Sequence, residues 1–384
     1  MYQNKLSVKN GIDRPELWRD ALRGKRVGLL TNPCGVDRSL HLTSDLLYEA
    51  ECLHCLFSPE HGVRGEQQAG VQVDNYTDAK TGLPVHSLYS NGHHIPPEVL
   101  RELDAVAFDV QDIGARYYTY VYSLSYLMED CAAADKELIV FDRINPLGGA
   151  KIEGTVLERA YSSFVGRYPI ASRHALTVGE FARYINASEH IDCRLHVIPL
   201  EGWRRDMLFC DTDLSFIAPS PNIPTFESAL CYIGTCLFEG TNVSEGRGTT
   251  RPFETIGAPW MDGERVADEL RALNLPGFMV RPCYFTPVFS KHAGELCCGV
   301  QLHVTDPRAF DPFEVGLRLL CIIAARHPEF SFTPPSKNGI ATIDRLLGCG
   351  DLRKDNFSPD AFLARQEESL ARYRESIEPY LLYQ

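Results

Sequence analysis

Short apolar segments alternate with helix-like segments through the first half of this 384-residue chain, and this alternation restricts the possible folds more than any other feature. Strands are predicted at residues 25–32, 52–57, 105–110, 137–141 and 194–200. Helices are predicted at 40–50 and 118–134, and from the Thr177/Glu180 capping box to about residue 187. Strands and helices that alternate in this way form a mostly parallel sheet covered by helices. We therefore expect a Rossmann-like α/β domain at residues 1–215.

The remainder of the chain follows a different pattern. Residues 216–260 are rich in Pro, Gly, Ser and Thr around an apolar helix at 229–238, which is typical of an ordered, glycine-rich functional loop region. Further strands are predicted at 278–285 and 296–304, and helices after Asp311-Pro312 and Ser358-Pro359. The sequence thus predicts a second, smaller α+β accessory domain at residues 261–384.

The charge, hydropathy and cysteine content of the chain limit its possible binding partners and its cellular location. Lys and Arg number 38 against 51 Asp and Glu, which gives a net charge of −13 and argues against nucleic-acid binding. No segment approaches the ~20 apolar residues of a membrane span, and residues 1–20 lack the apolar core of a signal peptide. The 13 scattered cysteines favour reduced thiols. We expect a cytoplasmic protein, or an exported one if a leader has been removed.

Polar residues follow four of the predicted strands. These clusters occupy residues 31–33, 58–62, 109–112 and 142–146. Ligands of open α/β sheets bind outside the carboxyl ends of the strands, so the clusters are expected to converge on one crevice.

The segment SPEHGVRG brings Glu60, His61 and Arg64 within a few residues of one another. A carboxyl group at the end of an apolar strand is desolvated, which raises its pKa and suits a general acid. The alternative is structural, because Glu60 could pair with Arg64 or cap a helix.

Residues 239–254, called the middle loop below, are polar and glycine-rich and hold Arg247 and Arg251 among three carboxylates. Backbone donors together with guanidinium groups bind a carboxylate or several hydroxyls, whereas a solvated loop that binds nothing is the simpler alternative. Aromatic residues available to stack on sugar rings are Tyr117, Tyr118, Tyr120, Trp203, Phe253 and Trp260.

Motifs for cofactor or metal chemistry are weak. Glycine motifs for dinucleotides and phosphates are absent, and the segment NVSEG lacks the first glycine of a serine-hydrolase elbow. Asp109 and Asp112, three residues apart, could bind Mg²⁺ together, but no spacing of Asp, Glu and His matches a defined metal site. We predict neither a metal nor a cofactor.

Several long segments occur in a characteristic order: VGLLTNPCGVD, LFSPEHGVRGE, FDVQDIGARYYTYVYSL, FDRINPLGG, SPNIPTFESALCYIGTCLFEGTNVSEGRGTTRPFETIGAPW and FTPVFSKHAGELCCGVQLHVTD. In these segments the chain resembles the exo-β-N-acetylmuramidase family of peptidoglycan-recycling glycosidases. The resemblance implies a Rossmann-like catalytic domain, a smaller accessory domain and an active site in the cleft between them. It also implies removal of terminal β-1,4-linked N-acetylmuramic acid from the non-reducing end of peptidoglycan fragments.

The same resemblance suggests particular site residues. Glu60 matches the family's candidate catalytic glutamate. A second catalytic contribution is expected from Glu245, with Glu239 in reserve, unless the 2-acetamido group of the substrate is the nucleophile and Asp112 or Asn242 orients it. Substrate binding is assigned to Asn32, His61, Arg64, Gln111, Arg116, Tyr117, Asn242, Arg247 and Arg251.

Two other functions stay open at this stage. One is a non-catalytic protein that binds muropeptides or sugars, and the other is a metal-dependent hydrolase that uses Glu60 and Asp112. In each case the partner is a small saccharide or muropeptide, with no nucleic acid and no membrane.

Overall fold

The protein is represented by a computed structural model that describes residues 5–59, 62–64, 75–88, 92–337 and 339–384. The strands before the middle loop are β1 (Val27–Thr31), β2 (Leu53–Ser58), β3 (Tyr76–Thr77), β4 (Pro84–Ser87), β5 (Ala105–Asp109), β6 (Glu137–Phe141), β7 (Glu153–Val156), β8 (Ala171–Arg173) and β9 (Arg194–Ile198). Seven of them form one sheet in the order β3-β4-β2-β1-β5-β6-β9, and β7 pairs with β8 in a separate hairpin.

The large sheet is parallel except for the β3–β4 pair. After β1 the chain continues to β2 on one side, whereas β5 lies on the other side of β1. A reversal of strand order leaves a crevice at the carboxyl ends of the two strands, and the pairing of Thr31 with Asp109 brings these ends together. The five strands predicted for this domain lie within two residues of the observed ones, which confirms the Rossmann-like α/β prediction.

Helices cover both faces of this sheet. They are α1 (Pro15–Leu22), α2 (Thr43–Glu49), α3 (Pro97–Glu102), α4 (Tyr120–Ala133) and α5 (Val178–Ser188). Trp18 of α1 and Leu47 of α2 are buried on one face, while α4 and α5 pack on the other. The predicted capping box begins α5, since Thr177 Oγ1 accepts from the Glu180 amide at 3.1 Å and Glu180 Oε2 accepts from the Thr177 amide at 3.0 Å.

The second domain is built around the antiparallel sheet β10-β12-β11. Its elements are α6 (Phe226–Thr235), β10 (Thr255–Ala258), α7 (Gly263–Ala272), β11 (Phe278–Phe285), β12 (Cys297–Val304), α8 (Pro312–Arg326), α9 (Thr342–Leu347) and α10 (Pro359–Ile377). The predicted middle region 216–260 supplies α6 and β10 to the core of this domain. A Cβ on Gly234 would lie 1.8 Å from the Pro312 carbonyl oxygen, so glycine lets α6 approach α8 closely.

The C-terminal helix returns to the first domain. Tyr373 and Ile377 of α10 are buried in the same core cluster as α4 and α5. All 13 cysteines are free thiols, ten of them buried. Among the helices in the described ranges, none has the length and apolar character needed to cross a bilayer.

Candidate active site

The carboxyl ends of β1 and β5 are joined by the Thr31 hydroxyl, which donates to the Asp109 carbonyl oxygen at 2.9 Å. The next residue, Asn32, is fully buried, and its Oδ1 accepts from the Cys34 amide at 3.0 Å. The Asn32 Nδ2 atom has no hydrogen-bond partner among the residues that the structure describes. A buried donor without a partner costs free energy unless a ligand supplies the acceptor.

Asp109 has a structural role. Arg143 donates to it from Nε at 2.5 Å and from Nη2 at 2.8 Å, and the Thr43 hydroxyl also donates to Oδ2. Both groups of this ion pair are almost fully buried. Both oxygens of Asp109 are therefore already engaged. A Mg²⁺ site here would need the carboxylates of Asp109 and Asp112 to be available together, and that of Asp109 is not.

Asp112 is held by a turn and by a histidine. Its Oδ2 accepts from the Gly114 amide at 2.6 Å and lies 3.2 Å from His174 Nε2. The Leu176 amide donates to His174 Nδ1 at 3.2 Å, which leaves Nε2 as the ring nitrogen that donates to Asp112. Asp112 Oδ1 is buried and has no partner within the described ranges. The pair therefore presents one oriented carboxylate oxygen.

Tyr118 connects the strand ends to the second domain. Its hydroxyl is buried without a partner in the described part of the chain, although the residue as a whole is partly exposed. Burial raises the pKa of Tyr118, and the neighbouring Tyr120, Cys34 and Asp112 side chains contribute in the same direction. The Tyr118 ring lies 6.1 Å from that of Tyr232, which packs edge-on against Phe253 at 4.6 Å. Asn32, Asp112, Tyr118 and His174 are called the strand-end site below.

The middle loop contains a compact network of charges. Arg247 Nη2 donates to Glu239 at 2.7 Å, and Arg247 Nε lies 3.4 Å from Glu245. Lys291, from the connection between β11 and β12, donates to Glu245 at 3.0 Å and to the Phe238 and Val243 carbonyl oxygens. Burial raises the pKa of Glu239, an effect that the Arg247 charge opposes and the Glu245 charge reinforces. Glu245 itself is buried.

Two glycines shape the loop on either side of Arg247. Gly246 and Gly248 both have a backbone φ of +80°, a conformation that residues other than glycine rarely adopt. A Cβ on Gly248 would lie 2.4 Å from the Phe289 carbonyl oxygen, and one on Gly246 would lie 2.6 Å from that of Thr255. The sequence EGRG thus lets the loop pack closely against its neighbours while the Arg247 guanidinium lies 5.4 Å from the centre of the Phe253 ring.

The predicted residues Glu60 and His61 lie outside the described residues, so the structure gives neither their positions nor the separation of Glu60 from Glu245. Gln111 does lie at the crevice. Its Nε2 donates to the Asp112 and Ile144 carbonyl oxygens at 2.7 and 2.8 Å. Gln111 also lines a cavity at the strand ends together with Cys34, Arg143, Phe209 and Phe216.

Arg116 and Tyr117, both expected to bind substrate, are buried and make hydrogen bonds inside the protein. The Arg116 guanidinium is completely buried and donates to the Thr155 and Leu346 carbonyl oxygens, both at 2.7 Å. The Tyr117 hydroxyl donates to the Ile233 carbonyl oxygen in the interior. Both side chains therefore connect elements of the protein rather than face a ligand.

Three other predicted ligand residues are also engaged elsewhere. Arg64, expected to bind a substrate carboxylate, binds Asp78 through two nitrogens, at 2.6 and 2.9 Å, and Asp45 at 3.2 Å. The Asn242 side chain bonds to the backbone of Glu329 and Ser331. Arg251 is half exposed at the rim, 3.5 Å from Glu254.

Sequence reasoning missed His174 and Lys291 and treated Tyr118 only as an aromatic surface. Lys291 lies in the quoted segment FTPVFSKHAGELCC, whose lysine could have drawn attention. His174 had no local signal, because it meets Asp112 only through the fold.

The chain was compared with known families and structures. Residues 27–227 match the family model "Exo-beta-N-acetylmuramidase NamZ, N-terminal", and residues 230–383 match the corresponding C-terminal model. The chain is 45% identical over 387 positions to the peptidoglycan beta-N-acetylmuramidase NamZ of Bacillus subtilis (strain 168), covering 99% of this chain and 92% of the relative.

Two crystal structures of DUF1343 family proteins from Bacteroides fragilis NCTC 9343 have the same fold. One has a TM-score of 0.89 at 35% identity and the other a TM-score of 0.77 at 28% identity. In both cases the match covers 98% of this chain and 99% of the solved chain. With both domain models matched in order, this chain belongs to the exo-β-N-acetylmuramidase NamZ family.

Proposed function

We propose that the chain is an exo-acting glycosidase that removes β-1,4-linked N-acetylmuramic acid from the non-reducing end of peptidoglycan fragments. The main support for the proposal is the pair of buried polar atoms, Asn32 Nδ2 and Asp112 Oδ1, that have no partner in the described structure and follow the paired ends of β1 and β5. A sugar with hydroxyl and amide groups complements such a pair of donor and acceptor. The name of the Bacillus subtilis relative supports the same substrate class.

The general acid in this proposal is Glu60. It follows β2, whose carboxyl end lies beside that of β1 in the sheet. Protonation of the leaving oxygen by a positioned carboxyl group typically contributes ~10²–10⁴ to the rate. Glu60 is assigned to this role from the sequence and the family. The Glu60→Gln variant tests the assignment directly.

Arg247 is the proposed ligand of the lactyl carboxylate, the group that distinguishes N-acetylmuramic acid from N-acetylglucosamine. Its side chain is 28% exposed, and no described residue accepts a hydrogen bond from its Nη1 atom. Arg251 is a more exposed second candidate. Arg64 is less suitable because Asp45 and Asp78 already bind it.

The two alternative functions have less support. The non-catalytic sugar-binding protein is less supported because the matching family and relative are named as enzymes that cleave glycosidic bonds. A metal-dependent hydrolase needs several converging ligands, and the carboxylate of Asp109, the other residue expected to bind a metal with Asp112, is already engaged by Arg143 and Thr43.

One assay separates the three functions. The protein is incubated, with and without EDTA, with a chromogenic β-N-acetylmuramide and with the matching β-N-acetylglucosaminide. We expect release from the muramide alone, unaffected by EDTA. Binding without release would favour the sugar-binding protein, and loss of activity in EDTA would favour the metal-dependent hydrolase.

A further inference from the structure

Three buried polar atoms at the ends of β1 and β5 have no partner in the described part of the chain: Asn32 Nδ2, Asp112 Oδ1 and the Tyr118 hydroxyl. They comprise a donor, an acceptor and a group that is both. A 2-acetamido group offers the complement, with a carbonyl oxygen that accepts and an N–H that donates. We propose that these three residues hold the substrate acetamide, and that its carbonyl oxygen is the nucleophile of the reaction. This inference rests on the proposed muramidase function.

Asp112 is oriented to accept a hydrogen bond from the acetamide N–H. Its Oδ2 is saturated by the Gly114 amide and by His174 Nε2, which leaves Oδ1 as the remaining acceptor. His174 faces Asp112 through Nε2, because its Nδ1 accepts from the Leu176 amide. A carboxylate at this position favours the acetamide as it becomes a cationic ring, because the carboxylate then faces developing positive charge.

His174 is a positioning residue, fixed by its own backbone. The His174 amide donates to the Gly114 carbonyl oxygen at 3.2 Å, and the Tyr373 hydroxyl donates to the His174 carbonyl oxygen at 3.0 Å. The residue is almost completely buried. The C-terminal helix therefore fixes the imidazole that orients Asp112.

Asn32 and Tyr118 are suited to the acetamide carbonyl. Asn32 Oδ1 already accepts from the Cys34 amide, which directs the Nδ2 donor away from the backbone. Tyr118 lies six residues after Asp112 in the same connection that leaves β5, and its ring packs edge-on against that of Tyr120 at 5.1 Å. Hydrogen bonds from these groups orient the carbonyl oxygen toward the anomeric carbon.

The reaction then needs no carboxylate nucleophile. The acetamide carbonyl oxygen bonds to C1 as the bond between C1 and the leaving oxygen breaks, and the general acid protonates that oxygen. The resulting oxazolinium ring keeps its N–H on Asp112 Oδ1. Water next bonds to C1 as the ring C1–O bond breaks, and its proton returns to the general acid. Two displacements at C1 retain the β configuration.

Glu245 is poorly placed to act as the nucleophile instead. Its carboxylate is 3% exposed and is bound by Lys291 at 3.0 Å, with Arg247 Nε at 3.4 Å. These two cations fix the middle loop. A carboxylate that is buried between them stabilises the loop rather than attacks a sugar.

The decisive test uses wild-type protein and aryl β-muramides that carry N-acetyl, N-fluoroacetyl, N-difluoroacetyl or N-trifluoroacetyl groups. Fluorine weakens the carbonyl nucleophile, and intramolecular nucleophiles reach effective molarities of 10⁵–10⁸ M, so we expect kcat to fall by more than about 100-fold across the series. Proton NMR should show the β anomer as the first sugar released. A flat series or an α anomer would overturn the inference while leaving the muramidase function intact. If no muramide is cleaved, the proposed function fails instead.

Variants locate the effect in the protein. Asp112→Asn should lower kcat by about 10²–10³-fold and Tyr118→Phe by about 10-fold or more. His174→Gln keeps a donor near Asp112 and should retain at least roughly tenfold more activity than His174→Leu, which has none. Tyr48→Phe and His196→Asn, at exposed positions, serve as matched controls. Equal activity of the two His174 variants, with unchanged melting temperatures, would contradict its positioning role. If His174→Leu does not fold, the role of Asp112 is tested instead by measuring kcat of the Asp112→Asn variant on the four aryl β-muramides that differ in fluorine content.

Discussion

At the strand-end site, Asn32, Asp112 and Tyr118 each keep a buried polar atom without a partner in the described structure, whereas in the middle loop the charges of Glu239, Glu245 and Lys291 are all paired. Both regions looked equally functional as sequence, because both are polar and follow apolar segments. The pairing separates them. Groups that satisfy one another hold a loop in shape, whereas a buried group without a partner, which in the middle loop includes Arg247 Nε, can bind a ligand.

The largest expected effect tests this division with two glutamate variants. Glu60→Gln should lower kcat by about 10²–10⁴-fold, because the amide cannot protonate the leaving oxygen. Glu245→Gln should lower kcat by less than Glu60→Gln does, because the amide oxygen still accepts from Lys291 and the charge-assisted hydrogen bond that is weakened contributes about 1.5–3 kcal/mol. Steady-state kinetics on an aryl β-muramide measure both. A larger loss for Glu245→Gln than for Glu60→Gln would reverse the roles of the two regions.

The next comparison concerns two arginines, one buried and one exposed. Arg116→Met removes the donor from the Thr155 and Leu346 carbonyl oxygens, at a cost of about 1–3 kcal/mol for each carbonyl left unsatisfied. Arg251→Met, at the rim, should change the free energy of unfolding by less than about 0.5 kcal/mol. Denaturant unfolding gives both values. If Arg116→Met unfolds like wild type but has a raised KM, Arg116 binds substrate after all.

A smaller effect is expected for substrate preference. Arg247→Ala should reduce the preference for the muramide over the glucosaminide by about 10- to 150-fold, the loss of one charge-assisted hydrogen bond of ~1.5–3 kcal/mol. Arg64→Ala should leave the preference near its wild-type value, because Asp45 and Asp78 bind that guanidinium. The ratio of the two kcat/KM values measures the preference. Unchanged selectivity in Arg64→Ala, Arg247→Ala and Arg251→Ala alike would remove the arginine pocket.

The smallest effect lies outside both regions, at Asp142 after β6. Burial raises the pKa of Asp142 to about 7, and a hydrogen bond from Tyr383 opposes the shift. The folded protein therefore binds a proton between about pH 4 and pH 7 that the unfolded chain has lost, so this group makes stability fall as pH rises through that window. Asp142→Asn preserves the hydrogen bonds, since Tyr383 and Thr177 are hydroxyls that can accept as well as donate.

The stability of Asp142→Asn relative to wild type should increase with pH, by up to about 1.4 kcal/mol per pH unit, and level off above pH 7. Denaturant unfolding of both proteins at pH 5, 6, 7 and 8 measures this difference. A difference that is constant across the four pH values would show that Asp142 titrates alike in the folded and unfolded chain.

The sheet could be predicted because buried parallel strands are nearly continuous apolar runs, as in the segments ELIVF and AVAFDV. The caps at Thr177 and Asp311 were also readable, since each side chain accepts from an amide three residues later. The short hairpin of β7 and β8 was not predicted. Its strands have three or four residues and lack a clear apolar alternation.

The candidate site was only partly readable from the sequence. Asn32, Gln111 and Asp112 follow strands, so their convergence could be derived from the order of elements. Arg116 carries the same charge as Arg247, and only the contact of its guanidinium with Leu346, 230 residues away, reveals that it is buried. His174 likewise depends on Tyr373, 199 residues away, and no local pattern contains such information.

Two isomeric disaccharides test the exo-acting removal of N-acetylmuramic acid most directly. One has N-acetylmuramic acid β-1,4-linked to N-acetylglucosamine with the muramic acid at the non-reducing end, and the other has the reverse order. Separation of the products by liquid chromatography and mass spectrometry should show both monosaccharides from the first disaccharide and no cleavage of the second. Cleavage of the second disaccharide, or of neither, would contradict the account.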